Sequence, residues 1–168
     1  HCRCPNCRAK LYRNDEEMVA QLRSNAEKGH SWAQCMLGLC YQEGAGVRRD
    51  GRRAERWFRA AMKDMSLMDG GPAAAFNLGV MYAEGDKGVR KDVEEAKKLY
   101  TMAHEAGHRV ATHNLGRLFE GLSGPAAGVP DMGKAIRLYR QAAEAGHDQA
   151  QTQLGLVYVT GKGVEKDM

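Results

Sequence analysis

One register recurs four times along the chain: Gly29, Ala33, Leu37, Gly38, Tyr41; Gly70, Ala74, Leu78, Gly79, Tyr82; Gly107, Ala111, Leu115, Gly116, Phe119; and Gly146, Ala150, Leu154, Gly155, Tyr158. Repetition on this scale dictates the kind of fold before any single residue is weighed, because each unit buries its apolar face only against a neighbouring copy. The spacing of Leu37, Leu78, Leu115 and Leu154 gives a period of about forty residues, which holds two helices. The Gly after each Leu is informative, since a glycine inside a helix costs about 1 kcal/mol relative to Ala. Its recurrence predicts a place where a side chain is forbidden. The simplest expectation is a close approach of two helices, backbone on backbone.

The second half of each unit repeats as well. Loops reading Gly46-Val47-Arg48-Arg49-Asp50, Gly88-Val89-Arg90-Lys91-Asp92 and Gly128-Val129-Pro130-Asp131 lead into segments anchored by Ala54, Trp57, Phe58, Ala61, then Ala96, Leu99, Tyr100, Ala103, then Ala135, Leu138, Tyr139, Ala142. These anchors fall on one helical face, with Arg, Lys, Glu and Gln on the other. Asp50, Asp92 and Asp131 stand where N-caps belong, and Glu95 completes a capping-box pattern with Asp92. Gly107 and Gly146 are placed to end the preceding helices in the left-handed region.

The pattern Gly-x3-Ala-x3-Leu-Gly-x2-Tyr-x2-Gly, then Gly-Val-x2-Asp, then Ala-x2-Trp/Leu-Tyr/Phe-x2-Ala-Ala, resembles the Sel-one-like repeat, a cousin of the tetratricopeptide repeat. The resemblance implies an all-α chain, a right-handed solenoid of antiparallel helix pairs with about eight helices. It also implies a scaffold or adaptor whose partner is another protein or peptide, and no catalysis. The expected organisation is a cysteine-rich tail over residues 1–13, a lead-in helix over 14–28, and repeats over 29–69, 70–106, 107–145 and a partial 146–168. The first unit runs long between Met62 and Gly70, and Phe119 to Pro125 replaces a tight turn in the third.

Composition supports a folded helical chain: 43% of residues are apolar, 27% charged and only four are proline. No apolar run reaches about 18 residues and the start is not a signal peptide, so neither membrane insertion nor secretion is expected. Both ends read as cut. The chain starts at His1, and Lys166-Asp167-Met168 stop where the fourth unit's second helix would begin. The expectation is a piece of a longer protein, with the apolar face at that end covered by the next helix. Asn14, before Asp15, Glu16 and Glu17, reads as the N-cap of the lead-in helix, and Met18, Leu22 and Ala26 as its apolar stripe.

In superhelices of the resembled kind the first helix of each unit lines the concave face, and its variable positions choose the ligand. Phased from the Leu-Gly anchor, those positions are Trp32, Cys35 and Leu39; Ala73, Phe76 and Val80; Val110, His113 and Arg117; and Gln149, Thr152 and Leu156. The partner-binding set is taken as Trp32, Cys35, Leu39, Phe76, Val80, His113 and Arg117. Such a surface suits an amphipathic helix or an extended peptide with apolar anchors and a carboxylate near Arg117. The same spacing also fits the seam between units for Trp32 and Phe76.

At the start of the chain, Cys4-x2-Cys7 has the spacing with which two thiolates grip one Zn²⁺. Cys4-Pro5-Asn6-Cys7-Arg8 resembles the last ligand pair of a RING-type zinc finger. That resemblance implies zinc only with ligands upstream of His1, and it sets up a second reading, the substrate-recruiting arm of a ubiquitin ligase. A third reading is a structural subunit of a large assembly. Cofactors are otherwise expected to be none: no Gly-x-Ser-x-Gly, phosphate-cradling loop or His-Glu-x2-His occurs.

The remaining polar residues read as architecture. His30, His108 and His147 each follow a helix-ending Gly and are expected to hydrogen-bond at a turn; His104, His108 and His113 crowd one junction without a metal-site spacing. Cys35 and Cys40 do not face one another along a helix, and the five cysteines are an odd number, which points to buried thiols in a reducing intracellular compartment. Arg48, Arg49, Arg52, Arg53, Arg56 and Arg59, in a chain of net charge +4, read as a solvated outer face interrupted by Asp50 and Glu55. An acidic partner is the alternative, and nucleic acid is not expected because Trp57 and Phe58 sit at packing positions.

Overall fold

A computed structural model describes residues 15–65, 70–121 and 130–161. Eight helices form among the described residues: α1 (Asp15–Glu27), α2 (Ser31–Glu43), α3 (Gly51–Ala61), α4 (Gly71–Glu84), α5 (Val93–Glu105), α6 (Arg109–Phe119), α7 (Met132–Glu144) and α8 (Asp148–Thr160). Each packs on its chain neighbours, most extensively in the pairs α2–α3, α4–α5 and α6–α7, and α2 also touches α4 directly. The result is an all-α solenoid with α2, α4, α6 and α8 in one layer and α1, α3, α5 and α7 in the other. Small residues make the stacking possible: Ala33, Ala74, Ala111 and Ala150 in the first layer and Ala54, Ala96 and Ala135 in the second are fully buried.

The recurrent glycine has a different cause from the one expected. A Cβ on Gly38 would lie 2.6 Å from the Phe58 ring, on Gly79 2.7 Å from Tyr100, and on Gly116 2.7 Å from Tyr139. In each case the neighbour is an aromatic ring from the second helix of the same unit, not a helix backbone. Each pair is a socket and a plug, and the plugs are buried to 3% exposure or less. Gly155 holds the fourth socket position in α8, and nothing lies within 4 Å of a Cβ there.

Turns are built by rule too. Gly107 (φ 80°) and Gly146 (φ 76°) adopt the left-handed conformation expected of helix-ending glycines. The amide of His108 donates to the Ala103 carbonyl and that of Gly107 to His104, a Schellman closure that is repeated from His147 to Ala142 and from Gly146 to Ala143. The following histidine then starts the next helix: Nδ1 of His108 accepts from the Ala111 amide and Nδ1 of His147 from Ala150, both at 3.2 Å. One Gly-His dipeptide therefore ends a helix and caps its successor. His30 occupies the same place but makes no side-chain cap bond.

Asp50, Asp92 and Asp131 cap α3, α5 and α7, their carboxylates accepting from the amides of Arg53, Glu95 and Lys134 at 2.9–3.0 Å. Their own amides donate to the carbonyls of Tyr41, Tyr82 and Phe119, the aromatic residues of the register. The Glu95 carboxylate meets Lys98 and Arg59 rather than closing a reciprocal box. Asp92→Ala is expected to cost about 1 kcal/mol, the usual value of a lost N-cap. A thermal melt reads it, and an Asp92→Ser variant should recover most of the loss.

Candidate functional site

The inner layer carries two clefts in series. The first, about 490 Å³, lies between α2 and α4; Leu39 and Phe76 form its apolar floor, Gln42 and Asn77 place carboxamides beside them, and Glu43 and Arg49 stand at the rim. The second, about 380 Å³, lies where α4, α5 and α6 meet, and it is more polar: Arg117 and Lys91 oppose Glu84, with Asn114 and Tyr100 between. Burial pushes the Tyr100 hydroxyl up to about 12, although Asn114 hydrogen-bonds to it and works the other way. The phenol therefore stays neutral and takes part as a hydrogen-bonding group.

Of the residues chosen from spacing, Leu39, Phe76 and Arg117 line these clefts. Trp32 and Val80 are half-buried and pack against the two core clusters, Trp32 at the α2 end near Gly70. Cys35 and His113 are corrected: they are 0% and 6% exposed and lie inside the seam, with no surface to present. The physical reason is helix phase. The groove stripe runs through the position before the Leu and on to the third and seventh residues along, as in Asn114 and Arg117 or Asn77 and Glu84. The assumed stripe lay one residue off, so its smaller members turned into the seam while Phe76 is long enough to reach the cleft. Asn77 and Asn114 were missed, yet a signal existed: each puts a carboxamide immediately before the register Leu, on a helix otherwise apolar there. Cys4 and Cys7 lie outside the described residues.

Phe76 belongs to the seam as well as the cleft. Its ring stacks on His108 at 4.9 Å and leans on Tyr100 at 6.0 Å. One unit later His113 stacks on His147 at 4.8 Å and on Tyr139 at 5.6 Å. Burial holds His108 down at about 4; burial, then His147 and Arg117, hold His113 at about 4. Neutral imidazole is the form this packing requires, and the Nδ1 of His108 can accept the Ala111 amide only in that form. Cys35 and Cys40 are free and buried, and burial raises the Cys40 thiol to about 11, which leaves it an inert apolar group. Among the described residues no three His, Cys, Asp or Glu side chains gather to hold a metal ion, and no helix is long and apolar enough to cross a membrane.

The Sel1 repeat family model matches residues 33–63, 72–108, 109–147 and 148–168. Among solved structures, a Sel1 repeat protein from Oxalobacter formigenes is 34% identical with a TM-score of 0.77, the match covering 89% of this chain and 58% of that one. A protective antigen present in uropathogenic Escherichia coli strains, displaying an SLR fold, is 29% identical with a TM-score of 0.80, covering 94% of this chain and 32% of that one. The cysteine rich protein B of Helicobacter pylori shares the fold at 16% identity and a TM-score of 0.61, over 83% of this chain and 96% of that one. The chain thus spans about 58% and 32% of the lengths of the first two.

Proposed function

Because this chain belongs to the Sel1 repeat family, whose members are helical-repeat scaffolds that bind other proteins, we propose that it is a non-catalytic adaptor and that its inner layer holds a segment of the partner. The observation that carries this reading is the pair of clefts on α2, α4 and α6. One offers an apolar floor of Leu39 and Phe76 and the next a charged wall of Arg117 and Lys91. An apolar side chain seated in the first is desolvated, and a carboxylate reaching the second meets a guanidinium fork. Asn77 and Asn114 each bring a donor and an acceptor to the clefts, the equipment needed to satisfy the backbone of an extended chain.

Selection of a random-peptide library on the immobilised chain tests this. Enriched peptides should share one large apolar residue followed at a short interval by Asp or Glu. Arg117→Glu should weaken them by about tenfold, the usual cost of reversing one contact in a charge pair, and Leu39→Asn by a similar factor, with melting unchanged for Arg117→Glu because its side chain is exposed. Peptides that bind both variants as well as the parent chain would place the partner elsewhere.

A further inference from the structure

The first repeat carries a second surface, on the loop edge of the stack rather than in its inner clefts. The start of α3 and the loop between α4 and α5 are locked together. The Gly51 amide donates to the Lys87 carbonyl at 3.1 Å, a Cβ on Gly51 would run into that same carbonyl, and Arg49 pairs with Asp86. Between them lies a cleft of about 360 Å³ walled by Arg48, Arg49, Arg52, Arg53 and Lys87. Only two carboxylates face these five cations. Asp86 is engaged by Arg49, and Asp50 caps α3 and pairs with Arg53 at 3.3 Å. Arg48, Arg52 and Lys87 have no carboxylate partner among the described residues; Arg52 reaches only the Gly88 carbonyl, at 3.4 Å.

Arg53 also borders a neighbouring, mostly apolar cleft of about 430 Å³, where Tyr41 and Trp57 are edged by Arg23 and Arg56. Arg23 donates to the Tyr41 hydroxyl at 3.0 Å and the Arg53 guanidinium lies 5.6 Å from the Tyr41 ring centre, so the aromatic wall is held in place. Arg56 has no carboxylate partner among the described residues.

We propose that this edge is a docking surface for an acidic peptide segment, its carboxylates on Arg48, Arg52 and Lys87 and an apolar side chain in the cleft between Tyr41 and Trp57. Guanidinium forks match carboxylates in pairs, and interlocked loops hold them without a cost in ordering. The surface past the cleft argues against a nucleic-acid strand. Glu55, Glu94 and Glu95 follow along α3 and α5, and they would repel a phosphate backbone that needs continuous basic charge. The inference stands apart from the inner groove, with which it shares only Arg49 at the rim.

The test is fluorescence anisotropy with a labelled peptide of Asp and Glu around one central Leu, beside its Asn and Gln counterpart and an oligothymidine strand. The acidic peptide should bind most tightly and lose affinity as salt rises. Arg48→Glu with Arg52→Glu should weaken it about tenfold or more. Arg109→Glu with Arg137→Glu, an equal change of charge at exposed sites on α6 and α7, should leave binding within about twofold, and Arg117→Glu in the inner groove should do the same. Should the first pair unfold the chain, Lys87→Glu at its exposed loop position takes its place. Equal loss from both pairs, equal binding of the neutral peptide, or tighter binding of the oligothymidine would each overturn the proposal.

Discussion

Gly79→Ala should lower the melting temperature by several degrees, while the same substitution at Gly155 raises it. Both glycines follow the register Leu inside a helix, where Ala is worth about 1 kcal/mol more than Gly. At Gly79 that gain is overrun. The new Cβ would sit 2.7 Å from two atoms of the Tyr100 ring, which is 3% exposed and has no room to retreat. Overpacking of this kind costs about 1–3 kcal/mol, and more for Gly79→Leu. At Gly155 nothing lies within 4 Å, so only the propensity gain remains. Tyr100→Leu in the Gly79→Ala background should recover part of the loss, because it removes the plug that the new methyl strikes. Melts that move the same way for both glycines would show that the socket is not what the register encodes.

Acidification should destabilise the stack steeply between about pH 6.5 and pH 4. His108 and His113 are both held near 4 in the folded chain, mainly by burial, against the usual 6.5 once unfolded. Between those values the unfolded chain binds more protons than the native one, so stability is present in full above about pH 6.5, is lost as pH falls, and stops falling below about 4. Unfolding within that window should take up close to two protons, and His147, lowered by burial, acts in the same direction. His108→Asn keeps a cap acceptor without a titrating ring. His113→Phe replaces a ring whose Nδ1 is buried without a hydrogen-bond partner and should be tolerated or stabilising at neutral pH. Urea midpoints measured from neutral to acid pH should lose most of their slope in the double variant. An unchanged slope would mean that other groups drive the acid transition.

How much of this was legible before the structure varies from residue to residue. The helix pairs, the Asp caps at positions 50, 92 and 131, and the glycine closures follow from chain-local rules: each depends on bonds within a few residues, which a sequence shows directly. Roles set across the stack were read less well. The glycine was taken as a backbone contact because periodicity reveals that a side chain is forbidden and not what forbids it; Phe58, Tyr100 and Tyr139 do. Cys35 and His113 were placed in the groove because about 100° of phase separates consecutive residues on a helix, and a stripe one residue off still looks amphipathic. The Arg run on α3 read as a solvated face, since nothing local shows that the loop at Asp86–Gly88 returns to meet it and makes a cleft.

By itself the sequence determined the architecture: a period of about forty residues, with small, apolar and glycine positions in one phase, leaves a solenoid as the way to bury each unit. It also determined that His30, His108 and His147 share one structural position, and that glycine and aromatic recur together. Tertiary structure alone decided which face of each first helix is groove and which is seam, that two of those histidines become helix caps held neutral by burial, and where unpaired arginines meet. The division has one cause. Repeat periodicity reports which positions are constrained, whereas exposure, protonation and charge pairing depend on which neighbouring unit comes to rest against them.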